Sequence, residues 1–306
     1  MQQKPIVQVE HLRKVYGSTV AVDDISFEVY QGEIFGMVGP NGAGKTTTIE
    51  CIEGLRPPDS GHIRVLGLDP HRDGYALRSR IGIQLQESVL QDRMKVWEAL
   101  DLFASFYPHS VDWEPLLEQL GLADKRNTPF AKLSGGQKQR LFIALALVHD
   151  PEVVFLDELT TGLDPQARRA MWDLVRQIRE RGKTVFLTTH FMEEAERLCD
   201  RVAIIDRGRI VALDTPENLI RMLSAEHRVV FTVDGPFESQ RLSKLTGVTR
   251  VETIGERVIV YGRGDGLVGE VVNALTTSGT RFRDLRTEQP NLEDVFLALT
   301  GRAMRD

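Results

Sequence analysis

The chain is 306 residues long with a formal net charge of −6, and its 42% hydrophobic and 27% charged content is that of an ordinary globular protein, long enough for about two domains. The acidic balance argues against a protein that coats nucleic acid, while leaving room for a local basic patch. The longest apolar run, Leu141 to Val148, is far too short to cross a bilayer, and the opening MQQKPIVQVEH has no apolar signal core, so a cytoplasmic location is expected.

Residues Ile6 to Tyr16 and Ala21 to Tyr30 alternate apolar and polar side chains around Gly17-Ser18, which predicts two half-buried strands joined by a turn, an antiparallel edge on the main sheet. Tyr16 closes the first strand, where its ring either packs locally or stacks on an adenine. The apolar run Ile34 to Val38 then leads into GPNGAGKTT and on to a helical stretch containing Cys51. A strand that becomes a helix through glycines is what a phosphate cradle needs. Gly39, Gly42 and Gly44 let the backbone turn tightly with its N–H groups inward, and the helix presents its positive end to the same point. Gly39, Pro40, Asn41, Gly42, Ala43, Gly44, Lys45, Thr46 and Thr47 thus form the candidate phosphate loop. Lys45 would reach the β- and γ-phosphates, and the Thr46 hydroxyl would sit on Mg²⁺.

A dense turn signal, Arg56 to Gly61, precedes a short strand at His62 to Leu66, and Arg80 to Glu87 reads as another strand ending in polar residues. From there to about Asp150 the period turns helical, with predicted helices at Val96 to Tyr107 and Trp113 to Leu120, a helical insert between strand-rich blocks. At its end comes LSGGQKQR. Ser134 suits an N-cap, and Gly135-Gly136 before Gln137 leaves the backbone open, so this is either a second anion-binding helix end or a capped core helix.

The strand Val153 to Leu156 delivers Asp157 and Glu158 at its carboxyl end. Such paired acids can cap a following helix; beside a phosphate loop they suit a metal shell at Asp157 and a general base at Glu158. After Thr160 to Pro165 a helix runs to about Arg181, with Pro165 at its first position. The buried strand Thr184 to Thr189 then sets His190 at the same sheet edge, either as a structural histidine or as a hydrogen-bonding partner of a γ-phosphate or of the general base. Cys199 lies in a helical apolar context, and with no CxxC spacing both cysteines read as reduced packing residues. Strands at Arg201 to Asp206 and Arg209 to Asp214 and a helix at Pro216 to Leu223 close the block.

Taken in order, Gly39–Thr47, Gln86, Leu133–Gln137, Val153–Glu158, Leu163-Asp164 and His190 make residues 1 to about 222 resemble the nucleotide-binding subunit of an ATP-binding cassette transporter. The resemblance implies a P-loop cassette of α/β class, a mixed sheet core with an antiparallel β edge and a helical subdomain at about 87–150. It implies ATP and Mg²⁺ as ligands, GPNGAGKTT as Walker A, VVFLDE as Walker B and LSGGQ as the family signature. It makes Gln86 a catalytic residue and, with Thr46 and, through water, Asp157, a ligand of Mg²⁺, His190 the switch histidine, Tyr16 the adenine-stacking ring, and Asp164 part of a dimer-interface loop. In such proteins two cassettes pair head to tail, Ser134, Gly135, Gly136 and Gln137 of one capping the ATP of the other, and drive a separate multi-span membrane subunit. That implies a peripheral location on the inner membrane face and a homodimer. The family commonly has proline after the Walker B glutamate; Leu159 stands there, which puts the turn geometry in question. The phrases ECIEGLRPPDSG, IGIQLQES and NLEDVFLALTG look like the daunorubicin-resistance exporter branch, implying efflux of a drug, lipid or polysaccharide. An importer, or a soluble cassette ATPase working on ribosomes or DNA, remains the alternative.

Residues 223–306 follow a different pattern. Strand-like Arg228 to Val233, helix-like Phe237 to Leu245, strands Val248 to Thr253 and Arg257 to Tyr261, a helix at Leu267 to Ala274 and a strand at Arg281 to Leu285 predict a small α+β, ferredoxin-like accessory domain. A final helix places Leu292, Val295, Phe296 and Leu299 on one face, capped by Asn291 and stopped by Gly301. That stripe either covers its own sheet or serves dimer contacts or regulation.

Overall fold

The structure, a computed structural model, describes residues 4–86, 88–223, 226–235, 239–264 and 266–301, apart from the side chains of residues 226 and 227. Two compact units divide after Pro216.

In the first unit, β1 (Pro5–Tyr16) and β2 (Thr19–Tyr30) pair as the predicted hairpin, and Gly17 turns the corner at φ +57°. The hairpin does not extend the main sheet. β1 takes β4 (Ser60–Val65) on its free edge, giving a separate three-stranded sheet in the order β2-β1-β4. The reason lies in its alternating pattern: one whole face, including Val7, Val9, Leu12, Ile25, Phe27 and Val29, is apolar and needs a partner surface. That face meets β3 (Ile34–Val38), where Phe27 stacks on Phe35 with centroids 5.4 Å apart. Phe186 and Phe155 continue the aromatic core.

After β3 come α1 (Lys45–Ile52), α2 (Gly74–Arg78) and β5 (Ile81–Gln84). β5 is shorter than predicted, and Glu87 lies outside the described residues. The insert holds α3 (Val96–Ala104), α4 (Trp113–Gln119) and α5 (Gly135–Leu147). α3 stops three residues before Tyr107, whose ring instead stacks on buried His149 at 3.9 Å. Then follow β6 (Val153–Asp157), α6 (Pro165–Glu180), β7 (Thr184–Thr189), α7 (Met192–Leu198), β8 (Arg201–Asp206) and β9 (Arg209–Asp214).

The six-stranded sheet runs β5-β6-β7-β3-β8-β9, parallel except for β9. Its central strands are buried along their whole length because both faces are covered. The order places β3 beside β7 and β7 beside β6. Their carboxyl ends therefore open at one edge, bringing Gly39, His190 and Asp157 together from positions up to 151 residues apart in sequence.

α8 (Pro216–Met222) falls, from Glu217 on, in the second unit. That unit also contains β10 (Glu226–Val233), β11 (Val248–Ile254), β12 (Arg257–Arg263), α9 (Leu267–Thr277), β13 (Phe282–Glu288) and α10 (Leu292–Thr300). The antiparallel order β11-β12-β10-β13 is that of a split βαβ sandwich. Its first helical segment is a 3₁₀ stretch, Ser239–Lys244; Phe237 of the predicted helix lies outside the described residues. Phe231, Val258, Val260, Leu267 and Val271 form its core. Of the predicted stripe on α10, Leu292, Val295 and Phe296 are buried, while Leu299 is exposed. Among the described residues no helix is long and apolar enough to cross a membrane.

Candidate active site

Two glycines of the loop between β3 and α1, Gly39 and Gly44, leave no room for a side chain. A Cβ at Gly39 would lie 2.1 Å from the Ile205 carbonyl oxygen, and one at Gly44, which has φ +106°, would lie 2.4 Å from that of Ala21. The Gly39 N–H donates to the Thr189 carbonyl at 3.3 Å, fixing the loop against the end of β7. Lys45, only 3% exposed, folds back to donate to the carbonyls of Gly39 at 2.9 Å and Pro40 at 3.2 Å. Burial lowers its pKa, and the facing Glu158 carboxylate opposes that.

Glu158 is the hub. Its Oε1 lies 3.2 Å from Lys45 Nζ, and its Oε2 accepts from Gln86 Nε2 at 3.2 Å and from the Thr161 hydroxyl at 3.3 Å, with His190 Nδ1 3.5 Å away. Its own backbone sits at φ +49°, and its N–H donates to the carbonyl and hydroxyl oxygens of Thr188, each at 3.1 Å. Asp157, its neighbour, accepts from Thr188 and, at 3.5 Å, from the Thr46 hydroxyl. Burial raises the Asp157 pKa, opposed by the Thr188 and Thr46 hydroxyls. Lys45, Thr46, Gln86, Asp157, Glu158 and His190, predicted from separate motifs, thus converge.

Thr188 and Thr161 escaped the sequence reading. The two threonines that end the strand TVFLTT were the available signal for Thr188; Thr161 carried none. Hydroxyl and carboxylate oxygens of Thr46 and Asp157 facing each other form the hard donor pair that Mg²⁺ takes together with phosphate oxygens and waters. Among the described residues no cluster of three or more His, Cys, Asp or Glu could hold a metal.

Tyr16 stands half-exposed at the end of β1, with Arg56 5.2 Å and Lys14 5.6 Å from its ring centroid. Arg56 is paired with Glu50 on α1, so the ring lies alongside the helix that leaves the loop. Ser134 caps α5 in a reciprocal box: its hydroxyl accepts from the Gln137 N–H at 3.3 Å, and Gln137 Oε1 accepts from the Ser134 N–H at 2.9 Å. Among the described residues no hydrogen bond or ion pair joins Ser134–Gln137 to the loop at Gly39–Thr47 of the same chain. Asp164 caps α6, accepting from the N–H groups of Gln166 and Ala167. Leu159, where proline is usual, is buried, and its carbonyl accepts from Gln139 Nε2 at 3.0 Å on α5.

A glycine-shaped loop on a parallel sheet edge, with a buried lysine and paired acids on the adjacent strand, defines a P-loop ATPase. The comparisons narrow that class. Residues 22–161 match the family model described as ABC transporter. Nod factor export ATP-binding protein I of Ralstonia nicotianae is 41% identical over 309 residues, spanning 99% of this chain and 96% of that protein. A solved ATP-binding subunit of an ABC transporter superposes with a TM-score of 0.65 at 30% identity, over 71% of this chain and 93% of its own. The ATP-binding cassette MJ0796, solved as a dimer in a post-hydrolysis state with ADP and Pi, superposes at 0.61 with 26% identity, over 68% and 98%. The chain belongs to the ATP-binding subunits of ABC transporters, and its enzymatic activity is ATP hydrolysis coupled to transport.

Proposed function

We propose that Gly39–Thr47 binds the phosphates of ATP, that Glu158 draws the proton from the attacking water, and that two copies of this chain pair to power export through a separate multi-span membrane subunit. The observation that carries this is the Glu158 carboxylate held jointly by Lys45, Gln86 and His190. A γ-phosphate entering the loop competes with Glu158 for the Lys45 ammonium. Releasing that ion pair frees a carboxylate oxygen to accept from water, while Gln86 and Thr161 hold the other oxygen in place, with His190 beside it. Thr46 and Asp157 would hold Mg²⁺, which supplies charge neutralisation on the phosphate oxygens when bound. Tyr16, half-exposed at the end of β1, would stack on the adenine.

Ser134 to Gln137 present capped helix N–H groups to solvent, which suits an ATP held by a second chain, with Asp164 at the same interface. The dimeric cassette bound to ADP and Pi supports that arrangement. The relatives named for Nod factor export favour outward transport, within a branch moving drugs, lipids or polysaccharides, from the inner membrane face. Residues 223–306 would serve as an accessory domain for dimer contacts or regulation.

Purification of the tagged chain at native level from detergent-solubilised membranes tests the assignment. Recovery with a multi-span membrane protein is expected. Recovery only in the soluble fraction, with ribosomes or DNA, would discard transport and favour the soluble cassette reading.

A further inference from the structure

His190 is oriented by very little hydrogen bonding. Its Nδ1 is buried without a well-aligned partner, 3.5 Å from Glu158. What fixes the ring is packing: the imidazole and Phe191 lie with centroids 4.1 Å apart. Phe191 in turn carries the Arg168 guanidinium 4.1 Å from its centroid. Arg168 belongs to the first turn of α6, directly after the 159–164 loop, and its Nε is buried with no acceptor. An arginine left without that hydrogen bond is held by its stack on the ring and by the nearby charge of Glu194.

Glu194 is itself unusual, a 2% exposed carboxylate on α7. It accepts from the Trp172 indole N–H at 2.9 Å, with the hydroxyls of Thr189 and Thr160 and the Arg168 charge beside it. Those neighbours are the residue before His190, the loop after Glu158, and α6. On the far side of the same loop, a Cβ at Gly136 would lie 3.7 Å from Ala167 and 3.9 Å from Leu163. The loop and first turn of α6 are thus clamped between α5 and the segment carrying His190.

We propose that Arg168, Phe191 and Glu194 form a positioning unit that sets the imidazole of His190 against Glu158 according to the state of the 159–164 loop. The inference rests on the site assignment above. None of the three touches the reacting atoms; they act through His190 by fixing a ring that hydrogen bonding leaves loose.

The test is a set of double-mutant cycles on the full chain, read as ATP turnover. Arg168→Met, Phe191→Leu and Glu194→Gln are each expected to lower kcat about 10-fold while KM for ATP stays within about twofold. In a His190→Ala background the same substitutions should cost less than about twofold, because the residue they act through is gone. Phe191→Tyr, which keeps the ring, should retain turnover within about twofold of the parent. Losses of equal size in both backgrounds, or a Phe191→Tyr variant as slow as Phe191→Leu, would show a merely structural role and overturn the proposal. If His190→Ala alone leaves turnover intact, the site assignment falls and this proposal with it; if His190→Ala is slow but the cycles are additive, only this proposal falls.

Discussion

Glu158→Gln separates the chemistry of the site from its assembly. Glutamine keeps the shape and one acceptor oxygen but removes the charge from a carboxylate that faces Lys45 at 3.2 Å and is itself 7% exposed. Loss of a general base typically costs about 10²–10⁴ in rate, or roughly 3–5 kcal/mol of transition-state stabilisation. A second effect concerns the nucleotide-free fold. Lys45 keeps two carbonyl acceptors but loses its counter-ion, so the destabilisation should fall at the low end for a broken buried pair, about 3 kcal/mol. The sign with pH follows from the lowered pKa of Lys45. A buried ammonium destabilises the fold at pH below its folded pKa, and the penalty is relieved as pH rises towards the ordinary 10.5. The stability gap between variant and parent should therefore narrow in alkaline solution. Phosphate release measures the first effect, and denaturant unfolding at several pH values the second. ATP should still protect the variant, and ATP-bound dimers should accumulate on size exclusion. Turnover within about threefold of the parent would refute the base assignment, and a stability gap that does not change with pH would refute the account of Lys45.

Lys45→Ala should weaken ATP binding by roughly 10–150-fold in titration calorimetry, the range of one charged hydrogen bond; unchanged affinity would count against the loop assignment. Gly39→Ala should fail to fold normally or lose ATP binding, because its Cβ would lie 2.1 Å from a backbone oxygen, whereas Gly42→Ala meets nothing within 4 Å and should cost only the strain of φ +77°, about 1–2 kcal/mol in denaturant unfolding. Glu53 has both carboxylate oxygens buried without partners, and burial raises its pKa well above 4.5. The folded state therefore holds that proton more tightly than the unfolded chain, and its stability falls as pH rises through the unfolded value towards the folded one. Glu53→Gln removes this dependence, so the variant should match the parent in acid and gain on it towards neutrality. Ser134→Ala should cost about 1 kcal/mol by loss of the α5 cap, and under the proposed shared site it should also slow turnover; a variant of normal rate would remove Ser134 from that site.

The parts of the site legible in the sequence were those where one residue type answers one physical demand. Glycines at 39, 42 and 44 mark a backbone that must curl, and four apolar residues followed by two acids mark a buried strand that ends at the sheet edge. The order of the motifs then located His190 and Gln86. What the sequence did not show was who serves whom once the strands are laid side by side. Thr188 bonds both Asp157 and the Glu158 backbone only because β7 sits next to β6. The hairpin at Pro5–Tyr30 was legible as two strands, but its alternation says only that one face is covered, not that the cover is a second sheet. In the second unit, strand positions were readable from their β-branched runs, while the predicted first helix proved to be 3₁₀.

The central place of β3 has a consequence for how the protein is made. Its neighbours are β7 and β8, so neither edge of the strand that leads into the Gly39–Thr47 loop is paired until Thr189 has been synthesised, 150 residues after Gly39. At translation speeds of roughly 5–20 residues per second, the nascent chain carries an unpaired apolar segment, Ile34 to Val38, for about 8–30 s. During that interval the hairpin β1–β2 is complete and ready to cover it, and Phe27 is the first large apolar group available to shield Phe35. The cover for Phe35 is thus encoded ahead of the strands that flank β3, and its apolar face is available to the growing chain before they are.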